Sequence, residues 1–317
     1  MVKVLVLPPV QADHKARLES IAGAEYVYCG DEGLTRELMA EADIIFGNPD
    51  PELMRYAKRL RLLQLFSAGT DGYIERLPAG CELTNTTGAF GLAISEHLLA
   101  MLLGLMKRMH QYRDNQHERA WRDMGNVNSV EGSVVLTVGL GDIGGEFARK
   151  CKLLGAYTIG VRRQDTDKPD YIDELYLSDK LDELIPRADV IALAMPGTAQ
   201  TYKLMNRARI DLMKRGAILL NVGRGGAVDT EALADAVGSG RILCGIDVTD
   251  PEPLPEGHRL WGMENALITP HVSGYFHLKK TLDNMVEIAC LNIAAMINGG
   301  QYKNIVDRST GYRKVKK

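Results

Sequence analysis

Short apolar runs alternate along the chain with segments in which apolar residues recur at helical spacing. In the N-terminal part, the apolar runs predict strands at 2–7, 26–29, 44–46 and 62–65. Helical patterns separate them near 12–21, 35–40 and 51–58. Strands that alternate with helices are typical of a parallel, doubly wound sheet. This part, which ends near Thr84, is therefore predicted to form one α/β domain.

The same alternation continues after position 134. Apolar runs there predict strands at 134–138, 157–161, 190–193, 217–221, 243–246 and 266–268. Helical patterns between or after them lie at 146–154, 180–185, 230–237 and 276–297. The chain has 317 residues, which is long enough for two domains of ordinary size. We predict two α/β domains, each with a doubly wound parallel sheet.

A strongly apolar helical pattern from Leu92 to His110 joins the two parts and continues as a polar, charged run to Arg122. This segment is too apolar to be a free linker. We expect it to cross between the domains and to pack against a second subunit, so that a homodimer forms through about residues 92–125. Its apolar stretch at 98–106 is far too short to span a membrane.

A glycine loop follows the strand predicted at 134–138. Gly139, Gly141 and Gly144 have G-x-G-x-x-G spacing, and a helical pattern comes directly afterwards. In that context the first glycine permits a tight turn, the second lets the backbone approach a pyrophosphate, and the third lets the helix pack on the strand. The helix start adds N–H groups and a positive dipole end. We therefore predict a Rossmann domain that binds a dinucleotide.

The end of the second strand of that domain indicates which dinucleotide is bound. NAD-specific sites carry an acidic residue about 20 positions after the glycine motif. Arg162 stands there instead, followed by Arg163, and both guanidinium groups suit a 2′-phosphate. We expect NADP, with NAD as the alternative. In the alternative the two arginines are solvated at a surface turn, partly neutralised by Asp165 and Asp167.

Three charged or titratable residues follow strands of the Rossmann domain, where open α/β sheets bind ligands: Arg224, Glu252 and His271. The guanidinium can pair with a carboxylate and polarise the adjacent carbonyl. The imidazole can give a proton to an oxygen that gains negative charge, and the carboxylate can orient that imidazole and stabilise its cation. Individually, the three are also compatible with a surface arginine, a solvated turn and a structural histidine. Together they favour reduction of a 2-keto acid.

A second ligand-binding candidate is the loop at 67–72, which follows a strand of the first domain and reads Ser-Ala-Gly-Thr-Asp-Gly. Small residues at such a position can expose backbone N–H groups to an anion such as a carboxylate. The alternative is an ordinary glycine-rich turn, which the local sequence by itself favours slightly.

The amino-acid composition limits which binding partners and which cellular compartment are expected. A net charge of −3 gives no general reason to expect nucleic acid or a membrane as partner. The five cysteines are widely spaced, without a Cys-x-x-Cys pair, which favours free thiols over disulfides or a zinc site. The N-terminal apolar run is broken at Pro8 and is too short for a signal peptide. We expect a cytoplasmic protein without a metal site.

Several of these segments resemble the D-isomer-specific 2-hydroxyacid dehydrogenase family. The segments that carry the likeness are VGLGDIG at 138–144, NVGRGGAVD at 221–229, GIDVTDPEPL at 245–254, ITPHVSG at 268–274 and the helix entry at 85–97. The first looks like the family's cofactor loop, and the next three look like the segments that bear its catalytic arginine, glutamate and histidine. The likeness extends from about Leu62 to the last helix.

The resemblance implies a fold and an assembly. In this family a Rossmann domain, expected here at 98–281, is inserted in a flavodoxin-like substrate domain, expected at 1–97 and 282–317. The substrate domain is discontinuous because the last helix returns to the N-terminal part. Members are usually dimers built through the long helix region.

The resemblance also implies roles for individual residues. Arg224, Glu252 and His271 inherit catalysis, with Arg224 also in contact with the substrate. The backbone N–H groups of Ala68 and Gly69 inherit the substrate carboxylate. The residues implied for cofactor binding are Gly139, Gly141, Asp142, Ile143, Gly144, Arg162, Arg163, Val222 and Asp247, the last at the nicotinamide carboxamide. Asp142 departs from the family pattern, which often has a basic residue there, and a carboxylate beside a pyrophosphate is mildly unfavourable.

The resulting prediction is an oxidoreductase that uses NAD(P)H to reduce a small 2-keto acid of the glyoxylate/hydroxypyruvate type to the D-2-hydroxy acid, with His271 as general acid. Two alternatives stay open. One is phosphite or formate oxidation; the family's formate enzymes usually have glutamine where Glu252 stands, which argues against formate. The other is a dinucleotide-sensing transcriptional corepressor, which the near-neutral charge makes less favourable.

Overall fold

The chain forms two compact units. The computed structural model describes residues 1–70, 72–164, 167–309, 311 and 313–314, so Asp165, expected beside the two arginines, lies outside the described residues. Met1–Ala89 and Phe276–Lys317 form one unit, the N-terminal unit, and Phe90–Tyr275 forms the other, the central unit.

The N-terminal unit is built on five parallel strands. They are β1 (Val2–Val6), β2 (Ala24–Tyr28), β3 (Ile44–Phe46), β4 (Leu62–Gln64) and β5 (Glu82–Thr84). Their spatial order, β2-β1-β3-β4-β5, is that of flavodoxin-like folds, which confirms the predicted architecture. The sequence did not predict β5, because its three residues include a single apolar side chain.

Among the described residues, two helices and two 3₁₀ helices, Pro51–Tyr56 and Ile74–Arg76, lie between these strands. The helices are α1 (Ala12–Glu19) and α2 (Arg36–Glu41). The side chain of Thr35 accepts a hydrogen bond from the Leu38 N–H at 3.3 Å and so begins α2. The helix predicted near 51–58 is instead the 3₁₀ helix Pro51–Tyr56, begun by the Asp50 carboxylate, which accepts from the Glu52 N–H.

The central unit is built on seven parallel strands. They are β6 (Val134–Val138), β7 (Tyr157–Arg162), β8 (Glu174–Leu177), β9 (Val190–Leu193), β10 (Ile218–Asn221), β11 (Leu243–Ile246) and β12 (Ala266–Ile268). Their order is β12-β11-β10-β9-β6-β7-β8. The order reverses between β6 and β9, and ligands of such sheets bind beyond the carboxyl ends of the strands at that point. The predicted doubly wound sheet is thus confirmed.

The described residues of the central unit form six helices: α3 (Gly91–Met106), α4 (Met109–His117), α5 (Asp142–Leu153), α6 (Leu181–Leu184), α7 (Arg207–Leu212) and α8 (Thr230–Gly238). The single helix predicted over 92–110 is wrong, since α3 and α4 are separate. Arg108 breaks the helix with a left-handed φ of +56°, while its side chain donates to the Asn126 carbonyl at 2.9 Å. Helix α5 begins at Asp142 rather than at 146, directly after the glycine turn.

The last helix, α9 (Lys279–Asn298), belongs to the N-terminal unit. Asn292 on this helix is fully buried and donates to Gln64 Oε1 of β4 at 2.5 Å. The same Gln64 oxygen accepts from the Thr84 hydroxyl at 2.8 Å, and Asn292 also exchanges two hydrogen bonds with the backbone of Lys303. Because buried amides need such partners, this network fixes the returning helix on the sheet.

The unit boundaries lie earlier than the expected 97/98 and 281/282. Gly91 begins α3, and its N–H donates to the carboxylate of Asp142 in the central unit; the whole of this helix belongs to that unit. Phe276 packs edge-to-face on Phe66 of the N-terminal unit, with ring centroids 5.0 Å apart. Aromatic packing of this kind accounts for the earlier return of the chain.

Each unit buries its own apolar core on its strands. Residues 44–46 of β3 and 190–193 of β9 have no exposed surface. The cysteines are free thiols, and burial raises the pKa of the Cys81, Cys151 and Cys244 thiols to about 12. In the described part of the chain, no helix combines the length and the apolar character that a membrane span requires.

Candidate active site

The glycine loop after β6 has the three local properties that dinucleotide binding requires. Gly139 has a φ of +92°, and a Cβ there would lie 2.7 Å from the Ala194 carbonyl oxygen. A Cβ on Gly144 would lie 2.0 Å from the Gly139 oxygen, so only glycine lets α5 approach this closely. A Cβ on Gly141 would meet nothing within 4 Å, so the backbone there borders open space.

This loop fits a pyrophosphate. Helix α5 has twelve residues, and its N-cap is Gly141, which has no side chain to occupy the first N–H groups. Those N–H groups and the positive end of the helix dipole therefore remain for an anion. Ile143 lies half-buried in the first turn, and Val222 is buried directly beyond β10.

The carboxylate of Asp142 caps the N-terminus of a second helix. Its Oδ2 accepts from the N–H groups of Phe90 at 3.2 Å and Gly91 at 2.7 Å, at the start of α3. Helix N-termini stabilise negative charge, and the carboxylate accepts from N–H groups that α3 itself leaves unpaired. The departure from the family pattern thus has a structural role: Asp142 ties the phosphate loop to α3.

Arg162 is the last residue of β7, and Arg163 follows it. Arg162 is half-buried, pairs in register with Leu177 of β8, and donates to the backbone carbonyl of Asp167 at 3.3 Å. Arg163 is exposed. The carboxyl end of β7 therefore carries two guanidinium groups at the place where NAD-specific sites carry a carboxylate.

Arg224 lies in a turn just beyond β10, and hydrogen bonds from a neighbouring side chain fix the conformation of this turn. The Asn221 side chain accepts from the Gly223 N–H at 3.1 Å and donates to the Arg224 carbonyl at 3.0 Å. A Cβ on Gly225 would lie 1.8 Å from the Thr249 carbonyl oxygen, so the turn needs glycine there. The half-buried Arg224 side chain borders a cavity of about 290 Å³, lined also by Gly197, Thr198, Thr201, Tyr202, Gly226 and Ala227.

Glu252 and His271 form a directly bonded pair. Nδ1 of the imidazole lies 2.6 Å from Oε1 of the carboxylate, and the two side chains are 49% and 42% exposed, respectively. A carboxylate has no proton to share, so Nδ1 carries the hydrogen and Nε2 is the ring atom available to a ligand. The predicted acid and its orienting group are thus together at the carboxyl ends of the strands.

The backbone of His271 is strained and braced. Its φ is +53°, in the left-handed region, which costs a non-glycine residue about 1–3 kcal/mol. Its N–H donates to the Asp247 carbonyl at 2.8 Å. The Asp247 carboxylate, which is fully buried, accepts from the backbone N–H groups of Val272 at 3.0 Å and Ser273 at 3.1 Å. The expected contact of Asp247 with the nicotinamide stays a prediction, and its contacts within the protein hold the histidine loop.

Two residues in this region, Thr269 and His97, were not predicted from the sequence. The hydroxyl of Thr269 donates to Asp247 Oδ1 at 2.5 Å, and Nε2 of His97 lies 3.0 Å from the same hydroxyl oxygen. His97 lies on α3, far along the chain from β12, so spacing could not reveal the contact. The signal available was a threonine two positions before a candidate catalytic histidine.

In the N-terminal unit, the loop after β4 has its carbonyl groups engaged. The carbonyl of Ser67 accepts from the Thr86 N–H at 3.1 Å, that of Ala68 from Asn85 Nδ2 at 2.8 Å, and that of Gly69 from the Ser67 hydroxyl at 2.7 Å. Among the described residues, no acceptor pairs with the N–H groups of Ala68 and Gly69. Two such N–H groups on a braced loop suit an anion.

One cluster of described residues has the composition of a metal site: Asp13, His14 and Asp283, in the N-terminal unit. The Lys279 ammonium lies 3.1 Å from the Asp13 carboxylate and 2.8 Å from that of Asp283. His14 Nδ1 accepts from the Gln11 N–H, and its Nε2 bonds to Asp283 at 2.7 Å. The cation in this cluster is therefore the lysine, and the cluster is a structural ion-pair network.

The fold and these residues define a dinucleotide-binding α/β oxidoreductase. A model of the D-isomer specific 2-hydroxyacid dehydrogenase NAD-binding domain matches residues 99–273, more than half of the chain. The chain belongs to the D-isomer specific 2-hydroxyacid dehydrogenase family, and its central unit is an NAD(P)-binding domain.

Individual relatives agree with this assignment. A glyoxylate reductase of Korarchaeum cryptofilum is 30% identical over 82% of this chain and 80% of its own length. A glyoxylate/hydroxypyruvate reductase B of Erwinia tasmaniensis is 28% identical over 96% of this chain and 98% of its own. A solved structure of a family member from Aeromonas salmonicida has a TM-score of 0.86 and 30% identity, and the alignment covers 97% of this chain and 99% of that one.

Proposed function

We propose that this protein uses a reduced nicotinamide cofactor to convert a small 2-keto acid of the glyoxylate/hydroxypyruvate type into the D-2-hydroxy acid. The observation that carries the proposal is the 2.6 Å contact between Glu252 and His271 at the carboxyl ends of the strands, in the same unit as Arg224. An acid–base pair and a guanidinium charge are what reduction of a charged carbonyl compound needs.

Each of the three side chains has a separate task. The nicotinamide, when bound, supplies a hydride to the carbonyl carbon. His271 donates the proton on Nε2 to the carbonyl oxygen, which becomes the hydroxyl group. Glu252 holds the ring by Nδ1 and stabilises the imidazolium before transfer. Arg224 holds the carboxylate and stabilises charge on the carbonyl oxygen, because a guanidinium donates two parallel hydrogen bonds.

We assign two further elements to ligand binding. The N–H groups of Ala68 and Gly69 bind a substrate carboxylate, which the engagement of the neighbouring carbonyl groups supports. The glycine loop and the start of α5 bind the pyrophosphate. In the cofactor site we also place Asp142, Ile143, Val222 and Asp247.

We propose that NADP is preferred over NAD. Arg162 and Arg163 stand at the end of β7, where a carboxylate would otherwise accept the hydrogen bonds of a ribose 2′-hydroxyl. A guanidinium attracts a 2′-phosphate and forms charge-assisted hydrogen bonds with it. The free thiols support a reducing compartment such as the cytoplasm.

We also propose a homodimer formed through α3, α4 and the segment after them. Met109 is 60% exposed and Trp121 is fully exposed, with Leu92, Leu103 and Val127 also presenting apolar surface. Large exposed apolar side chains gathered on one stretch of chain mark interaction surfaces. A twofold contact would bury this stretch against itself.

The test of the proposed function is a spectrophotometric assay of cofactor oxidation. Glyoxylate, hydroxypyruvate, pyruvate and phenylpyruvate are each supplied with NADPH and with NADH. We expect the highest kcat/KM for glyoxylate or hydroxypyruvate with NADPH, and a D-configured product from hydroxypyruvate. Failure to oxidise either cofactor with any of the four acids would contradict the proposal.

A further inference from the structure

The backbone conformation of His271 depends on contacts outside its own loop. A histidine at a φ of +53° relaxes toward negative φ unless its surroundings hold it. Rotation of this backbone would swing the imidazole away from Glu252 Oε1. Whatever holds residues 271–273 in place therefore also holds the acid in its productive position.

Asp247 is the group that holds them. Its backbone carbonyl accepts from the His271 N–H, and its carboxylate accepts from the Val272 N–H at Oδ1 and from the Ser273 N–H and hydroxyl at Oδ2. A carboxylate with no exposed surface needs its lone pairs filled, because an unfilled one loses hydration without replacement. The fourth donor is the hydroxyl of Thr269, at 2.5 Å from Oδ1.

The direction of the next contact follows from the proton count. The single proton of the Thr269 hydroxyl goes to the carboxylate, which has none to give. The hydroxyl oxygen must then accept from His97 Nε2, 3.0 Å away, so Nε2 carries a proton. His97 therefore prevents Thr269 from turning its proton elsewhere. The chain of donors runs from His97 through Thr269 to Asp247.

We propose that His97 and Thr269 are positioning residues that act through Asp247 to keep His271 in its left-handed conformation, bonded to Glu252. The proposal rests on the proposed function in so far as it concerns turnover, since it takes His271 as the acid. It assigns to Asp247 a role in the geometry of the histidine loop that is separate from any contact with the cofactor.

The test compares Thr269→Val, which removes the hydroxyl at nearly constant volume, with Thr269→Ser, which keeps it. Nitrogen-15 NMR of the histidine rings, with the His271 signals assigned from His271→Gln, reads the bond to Glu252 without any substrate. We expect Thr269→Val to move the His271 ring signals toward those of a solvated imidazole and Thr269→Ser to leave them unchanged. Equal spectra for wild type and Thr269→Val would overturn the proposal.

Turnover gives a second measure. We expect Thr269→Val to lower kcat at least tenfold while KM for the cofactor changes less than twofold, and Thr269→Ser to stay within threefold of wild type. Equal losses in the valine and serine variants would also overturn the proposal. If the wild-type protein reduces no 2-keto acid, the proposed function fails, whereas the NMR comparison still decides the positioning roles.

A second variant tests the other end of the chain of donors. His97→Leu should move the His271 ring signals as Thr269→Val does. His97→Gln should bring these signals part of the way back to their wild-type positions, because an amide N–H can donate to the Thr269 oxygen. The matched control is His110→Leu: that ring also bonds to carbonyl groups, at Gly104 and Glu264, without a link to Asp247. A His97→Leu spectrum like that of the control would contradict the role of His97.

Discussion

The carboxylate of Asp142, at the first position of the cofactor helix, lies 2.7 Å from the backbone nitrogen of Gly91, at the first position of the long helix. Two helix N-termini thus share one aspartate: it follows Gly141 in the phosphate loop of α5 and caps α3. A Cβ on Gly91 would lie 2.5 Å from Asp142 Oδ1, so the contact also explains the glycine. The capping bonds hold the carboxylate against α3, which lessens its conflict with a pyrophosphate.

This contact predicts energetic coupling between the two positions. Asp142→Ala should lower the free energy of unfolding by about 1 kcal/mol, the usual cost of a lost cap. Gly91→Ala should destabilise the wild-type protein, because the added methyl group would clash with the carboxylate. The same change should lower the free energy of unfolding by less in the Asp142→Ala variant. Urea denaturation of the four proteins measures the coupling. Additive effects would show that the capping contact is not formed in solution.

Arg162 should control the choice of cofactor. Arg162→Asp replaces a donor for the 2′-phosphate by a like charge, so the affinity for NADPH should fall by about one to two decades, the equivalent of a lost charged hydrogen bond. The affinity for NADH should stay within about threefold, well under one decade. Fluorescence titration of both cofactors measures this. Arg215→Asp, an identical charge change at an exposed site elsewhere in the central unit, is the control. A wild-type preference for NADH would contradict the assignment.

The ion-pair network of the N-terminal unit should make stability depend on pH in the acid range. Hydrogen bonds from Lys279 and His14 lower the pKa of Asp283 to about 2, below its ordinary value of 3.8. A lowered folded-state pKa means that the stabilisation is present above about pH 4 and is lost as the pH falls toward 2. Asp283→Asn should therefore be less stable than wild type at pH 6, and the difference should shrink at pH 2.5.

Thermal unfolding at the two pH values measures this difference in each protein. Lys279→Met removes the ammonium group that donates to Asp283 at 2.8 Å, so its stability should also differ less from that of wild type at pH 2.5 than at pH 6. An Asp283→Asn protein that is destabilised equally at both pH values would show that the folded-state carboxylate titrates normally.

The exposed tryptophan after α4 should lie in the dimer interface. Trp121→Arg adds a charge to a side chain that is fully exposed in the single chain, and should shift the protein toward monomer. Light scattering at micromolar concentration measures the mass. Trp261→Arg is the control, because Trp261 is 50% exposed but lies on another part of the central unit. A monomeric wild-type protein would refute the dimer.

The sequence predicted the strand and helix alternation well, because buried parallel strands are continuous apolar runs that hydrophobicity alone reveals. The short strands β5 and β8 were not predicted, because Glu82–Thr84 and Glu174–Leu177 are only partly apolar and lie at the edges of their sheets. The break between α3 and α4 was not predicted either. A left-handed arginine at 108 depends on its bond to Asn126, which no local pattern shows.

The contacts of the candidate site also fall into two groups, those that the sequence predicted and those that it did not. The pairing of Glu252 with His271 was predictable, because both residues follow strands of one parallel sheet and such ends converge. The buried contacts of Asp247, Thr269 and His97 were not, because they depend on how distant segments pack. The same holds for Asp142, whose partner is fifty-one positions earlier in the chain.

The most direct measurement of the central claim is the turnover of His271→Gln with its best 2-keto acid, alongside the affinity for NADPH. We expect kcat to fall by about 10²–10⁴, the usual contribution of a general acid, while the affinity for NADPH stays within about threefold. Glu252→Gln should lower kcat by a smaller factor, because the ring keeps its proton but loses the negative charge beside it. A His271→Gln enzyme with near wild-type kcat would contradict the assignment of His271 as the proton donor.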